Sequence, residues 1–178
     1  KTERKGTVAS IENDVMKFKT STTSYTMQSK YNSGDIKIGS AETESKKLLT
    51  RMANDSALEL YAEIVADGNN KVLTVDARLT AAKGKIVEYD RDEKTITIAT
   101  SGGEYKLKAV TNPKLTGEDE KKFTLDDLAT SKYVGEQIEI GFNTSGLANK
   151  FTLTNGPNTG NGLTTVRGVA TAAEGGLK

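Results

Sequence analysis

The sequence predicts a mainly β protein of two tandem small β-barrel or β-sandwich (OB-like) units, each with a short helical insertion. Three observations predict it: an internal repeat at an offset of about 78 residues, apolar–polar alternation of period two within the repeated segments, and a Thr-rich composition with 17 Gly and only 2 Pro. Thr is β-branched and suits the exposed face of a strand, while Gly suits tight turns. The chain of 178 residues can form one sizeable domain or two of about 80 residues each. Hydrophobic residues are 35 % and aromatics 6 %, without Trp, so the core is thin and shared among small units.

The elements follow in order. Lys5-Gly6-Thr7-Val8-Ala9-Ser10-Ile11-Glu12 aligns with Lys83-Gly84-Lys85-Ile86-Val87-Glu88-Tyr89-Asp90 as an opening strand. The turns Asn13-Asp14 and Arg91-Asp92-Glu93-Lys94 come next, then second strands Val15–Thr20 and Thr95–Thr100. Third strands carry a Tyr in register, Tyr25 against Tyr105. Each unit then has a non-β insertion: Ser40–Leu49 reads as a helix in the first, and Thr124-Leu125-Asp126-Asp127-Leu128 as a capped helix in the second. Closing hairpins run Leu58–Val65, Asp67–Asn70, Lys71–Leu79 and Gln137–Phe142, Asn143–Gly146, Asn149–Thr154. This places unit one at 5–80 and unit two at 83–155, with the boundary between Leu79 and Lys83. Residues 156–178 read as a polar linker followed by a third strand or unit, because Thr165–Thr171 repeats the basic-Gly-apolar opening. The alternation assigns Val8, Ile11, Phe18, Met27, Ile64 and Val72 to the first core. Ile96, Ile98, Leu107, Ile138, Ile140 and Phe142 form the second.

Charge and residue types exclude several functions. Lys and Arg number 25 against 24 Asp and Glu, a formal net charge of +1, which is not the footprint of a nucleic-acid binder. With no His and no Cys, imidazole acid/base chemistry, Ser/His and Cys nucleophiles and structural zinc have no residues to work with. No apolar run approaches the roughly 20 residues that span a bilayer, so membrane insertion is not expected.

Copy two carries Lys83-Gly84-Lys85-Ile86, Thr95-Ile96-Thr97-Ile98, Gly103-Glu104-Tyr105-Lys106-Leu107, Leu125-Asp126-Asp127-Leu128 and Tyr133-Val134-Gly135-Glu136-Gln137-Ile138. This pattern resembles repeats in surface-layer and S-layer-homology-anchored exoproteins of Firmicutes, such as Bacillus and Paenibacillus relatives. Copy one departs from it, since no Val-Gly precedes Leu60 and its insertion is more helical. The resemblance spans roughly residues 5–155. It implies an extracellular, cell-surface, self-assembling protein that meets cell-wall polymers through domains outside this chain.

Candidate chemistry is sparse. Asp90, Asp92 and Glu93 are the candidate metal ligands, offering oxygens of the kind Ca²⁺ takes six to eight of; their spacing is not that of an EF-hand, and a strand-to-strand turn is the plainer reading. Glu118-Asp119-Glu120 and Asp67-Gly68-Asn69-Asn70 read as a solvated loop and a hairpin turn. The carboxylate pairs Glu59/Glu63 and Glu136/Glu139 lack the sugar-stacking aromatics of a glycosidase cleft. Lys46-Lys47 and Lys121-Lys122 read as solvated faces. No catalytic residue and no cofactor beyond Ca²⁺ is assigned, and the expected role is non-enzymatic: a structural, self-associating module. The alternatives are a filament or tube subunit joined by exchange of a strand such as Leu163–Ala172, and a non-catalytic carbohydrate-binding module of a secreted enzyme.

Overall fold

The computed structural model describes residues 1–117 and 123–154. Over that span the chain is mainly β: ten strands form one mixed sheet, with two short helices. The first stretch holds β1 (Thr2–Glu12), β2 (Val15–Phe18), β3 (Ser24–Met27), β4 (Ile36–Ile38), α1 (Lys46–Ala53) and β5 (Leu58–Ala66). Then comes β6, a strand of 20 residues from Lys71 to Asp90. It passes without interruption through Leu79–Lys83. After it follow β7 (Thr95–Thr100), β8 (Gly103–Gly117), α2 (Leu125–Leu128), β9 (Gln137–Phe142) and β10 (Ala148–Leu153).

The hydrogen-bond ladder returns on itself twice. In the first circuit β1 pairs β2 and β5, β2 pairs β3, and β3 meets β6 in parallel at Thr26↔Lys71 and Met27↔Val72. The antiparallel pairing of β5 with β6 completes it. In the second, β6 pairs β7 and β9, β7 pairs β8, and β8 meets β10 in parallel, with β9 against β10 closing the path. Order and direction are the same in both. Even a local irregularity recurs: the register slips between Val8 and Ser10 where β1 faces β2, and between Ile86 and Glu88 where β6 faces β7.

The turns are built from the residues their geometry needs. Asn13 and Asp14 both have positive φ, 52° and 62°, the requirement of a two-residue hairpin loop whose twist matches its strands. Asp67 Oδ1 accepts from Asn69 N–H at 2.8 Å and Lys71 N–H at 2.9 Å, holding the β5–β6 turn. Those two hydrogen bonds also hold the Asp67 carboxyl below its ordinary value.

The core is one connected cluster along β6 and its neighbours. Of the twelve positions assigned from alternation, all are buried except Phe142, which packs half-buried at its edge. The helix expected from Thr124 to Leu128 is found: Thr124 caps it, its side chain accepting from Asp127 N–H while Asp127 accepts from Thr124 N–H.

Three readings need correction. The first insertion is not helical from Ser40. Ser45 is the N-cap, its Oγ accepting from Leu48 N–H at 3.0 Å, and helix begins at Lys46. Ser40–Glu42 is instead a turn leading into a single β-bridge at Ala41, because Ser40 Oγ accepts from Leu79 N–H at 2.6 Å and Lys108 N–H donates to Ser40 O at 3.1 Å. Strand β4, parallel to β6 at Ile36↔Val75 and Ile38↔Ala77, was not expected; three residues are too few to show a period. Finally, Tyr25 and Tyr105 are not equivalent. Tyr25 pairs with Met16, whereas the counterpart of Met16, Ile96, pairs with Leu107. Tyr105 lies two residues closer to the β7–β8 turn, opposite Ile98. The expected third strand over Thr165–Thr171 lies outside the described residues, as do Glu118-Asp119-Glu120, Lys121-Lys122 and the whole of 156–178.

Candidate functional site

The densest polar chemistry gathers where the α1–β5 connection meets the β7–β8 hairpin. Helix α1 buries Leu49, Met52 and Ala53 and ends at Asn54. Asn54 fixes that end to β1, accepting from Ile11 N–H through Oδ1 at 2.9 Å and donating to Ile11 O through Nδ2 at 2.8 Å. A side-chain amide thus stands in for a strand neighbour. The next residue, Asp55, is 6 % exposed.

Asp55 uses both carboxylate oxygens. Oδ1 accepts from Ala57 N–H at 2.9 Å, which shapes the turn into β5. Oδ2 accepts from Thr100 Oγ1 at 2.5 Å and from the Tyr105 hydroxyl at 2.8 Å. Gly102 leaves room for it, since a Cβ there would stand 2.5 Å from Asp55 Oδ2. One turn back along α1, the Arg51 guanidinium lies 4.7 Å over the Tyr105 ring and donates to Glu104 O at 3.0 Å. Burial pushes the Asp55 carboxyl up, but hydrogen bonds from Thr100, Ala57 and Tyr105, with the Arg51 charge, outweigh it and hold the carboxyl below its ordinary value. Tyr105 moves the other way, pushed up to about 12 by burial first and then by its bond to the Asp55 carboxylate.

A second contact joins the β4–α1 connection to the β9–β10 turn. Gly39 lies against the β9–β10 turn so closely that a Cβ on it would stand 2.8 Å from Ser145 O. Gly146, at φ +84°, would bring its own Cβ to 2.9 Å from Gly39 C. Both positions require glycine. Between the two contacts the segment Ser40–Glu42 runs along β8, with Ala41 bridging Leu107, and a cavity of about 340 Å³ opens beside it under α1.

The residues singled out from sequence lie elsewhere. Asp90 ends β6 and its Oδ1 accepts from Glu93 N–H at 3.0 Å, closing the turn. Asp92 and Glu93 are exposed in that turn. The neighbouring Arg91 pairs with Asp126, tying the turn to α2. Among the described residues no group of three or more His, Cys, Asp or Glu is placed to hold a metal ion. Glu59 accepts from Thr80 Oγ1 at 2.7 Å, and Glu63 stands in the outer face of β5 opposite Asp76. Lys46 is not simply solvated: it pairs with Asp14 at 3.0 Å and donates to Gln28 O at 2.7 Å. Lys47 is exposed.

Sequence reasoning missed Asp55, Arg51 and Thr100. Their only local signal was the Gly102-Gly103 turn, read as a connection and nothing more. Comparison with family models, curated proteins and solved structures finds no match for this chain. No helix among the described residues is long and apolar enough to cross a membrane.

The seam can do two things chemically. It neutralises one buried carboxylate with hydroxyl donors and a guanidinium, and it fixes the β7–β8 hairpin against the end of α1 while Gly39 holds the β9–β10 turn. Both are means of holding geometry.

Proposed function

We propose that the chain is a structural module: two small OB-like barrel units, at 5–80 and 83–155, in an extracellular assembly of the surface-layer kind. Strand β6, which belongs to both pairing circuits, is the observation that carries the reading. Units joined by a flexible linker swing; units that share a stave cannot do so without breaking the ladder. The Asp55 seam and the Gly39–Gly146 contact add two further points of attachment, as a spacer of fixed geometry needs. The duplicated unit fits a quasi-one-dimensional array, in which each unit contacts its neighbours. The module acts by self-association with neighbouring copies, and any Ca²⁺ response belongs to Asp90, Asp92 and Glu93 in the β6–β7 turn.

Electron microscopy of the purified chain with and without Ca²⁺ tests this. Sheets or fibres are expected, and substituting Asp90, Asp92 and Glu93 together should alter assembly or its Ca²⁺ response. Dispersed monomers at every concentration, together with retention on a glycan resin, would replace the reading with a sugar-binding module. Hydrolytic turnover abolished by one Glu substitution would replace it with an enzyme.

A further inference from the structure

We propose that the cavity under α1 binds a small carboxylate with an apolar body. This goes beyond the structural reading and stands without it. The cavity, of about 340 Å³, lies in the range of small-ligand sites. Its wall includes Ala41, Met52 and Tyr105, each 2 % exposed or less, with Leu48 partly buried beside them. These supply an apolar surface.

Among the polar groups around it are donors that lack an acceptor. Along an antiparallel strand, alternate N–H groups face the same edge. Lys108 N–H donates to Ser40 O at 3.1 Å, so Lys106 N–H faces that edge too. There the facing segment leaves. Glu42 N–H reaches Lys106 O at 3.4 Å, but no return bond forms from Lys106 N–H to the Glu42 carbonyl. The helix cap at Ser45 carries the chain away, and Arg51 covers the next carbonyl, Glu104 O. A strand edge is therefore opened beside an apolar cavity, with one backbone donor left over. Arg51 retains further N–H donors at the same place. Lys47 and Lys106 stand on the lining, and among the described residues neither has an ion-pair partner. Unfilled donors and unpaired cations call for an acceptor that carries negative charge, and the wall calls for a hydrocarbon body. A carboxylate on a short aromatic or aliphatic stem meets both needs. Glu42 and Glu104 also line the cavity, so a cationic ligand is the competing chemistry and belongs in the test.

The experiment is an amide NMR titration of the full chain with 4-phenylbutanoate, 4-phenylbutanamide and 4-phenylbutylamine. The carboxylate should shift the amides of Lys106, Leu48 and Met52 and bind at least about tenfold tighter than the neutral amide. Leu48→Trp should fill the space and abolish the shifts; Lys106→Gln, at an exposed position, should weaken binding severalfold while the remaining amide spectrum stays in place. The proposal is overturned if the amine binds as tightly as the carboxylate, if the shifts fall elsewhere, if none of the three binds, or if Lys106→Gln leaves the affinity unchanged.

Discussion

Asp55 is a buried charge that makes no direct ion pair among the described residues, and it survives there because three donors converge on it with the Arg51 charge nearby. Replacing it with Ala leaves the hydroxyls of Thr100 and Tyr105 facing an empty site. Leaving buried polar groups unpaired costs about 1–3 kcal/mol, and a loss of that size is expected in urea denaturation of Asp55→Ala. The acid side follows from linkage. The folded carboxyl lies below its ordinary value, so its stabilisation is present above about pH 4 and is lost as pH falls through the depressed value. A stability–pH profile of Asp55→Asn should therefore be flatter than wild type in that acid range, and an equally steep profile would remove Asp55 from the account. Tyr105 supplies the opposite limb. Its folded value of about 12 exceeds the ordinary value of about 10. The neutral phenol is favoured in the fold, and its contribution is lost as pH rises from about 10 towards 12. Burial raises Tyr31, Tyr89 and Tyr133 as well, so ultraviolet titration should show several late tyrosines, and Tyr105→Phe should remove the step near pH 12.

At the scale of elements, what could be read from sequence was what depends on near neighbours. The closing hairpins, the Thr124 cap and the inward sets of β7 and β9 are local, because a period of two or a cap needs only adjacent residues. The start of α1 was misplaced although Ser40 and Ser45 are both competent caps. The choice is made by Leu79, 39 residues away, whose N–H donates to the Ser40 hydroxyl. The seam was invisible for the same reason: Thr100 and Tyr105 reach Asp55 across 45 and 50 residues. The Tyr25–Tyr105 alignment failed because the β2–β3 and β7–β8 connections differ in length, and side chains two apart share a face. Two element-level outcomes are expected. Ser45→Ala should destabilise by about 1 kcal/mol, the usual cost of a lost N-cap, measured by chemical denaturation. Gly146→Val should cost more, since valine disfavours positive φ and its Cβ would meet Gly39 backbone; wild-type stability in that variant would mean the β9–β10 turn does not rest on Gly39.

For the whole molecule the question is whether two circuits behave as one. Each depends on β6 for one of its members, and the buried side chains form one cluster. Calorimetry should therefore show a single transition whose calorimetric and van't Hoff enthalpies agree. A short Gly-Ser insertion between Ala81 and Ala82 should split it into two or lower one part selectively. Two resolved transitions in the wild type would show that sharing a strand does not couple the halves.

The same 20-residue strand decides how the protein would answer a load. In a chain of beads on a string, tension opens one bead at a time, and each yielding bead shields its neighbours by letting out slack. Here β6 runs straight from one circuit into the other, pairing in the first through Lys71–Ala82 and in the second through Ala81–Asp90, so no slack separates them. Pulled between residues 2 and 153, the molecule is expected to hold until a single rupture that releases on the order of 500 Å of chain, where two separate beads would give a pair of shorter steps. It would serve as a fuse with one rating.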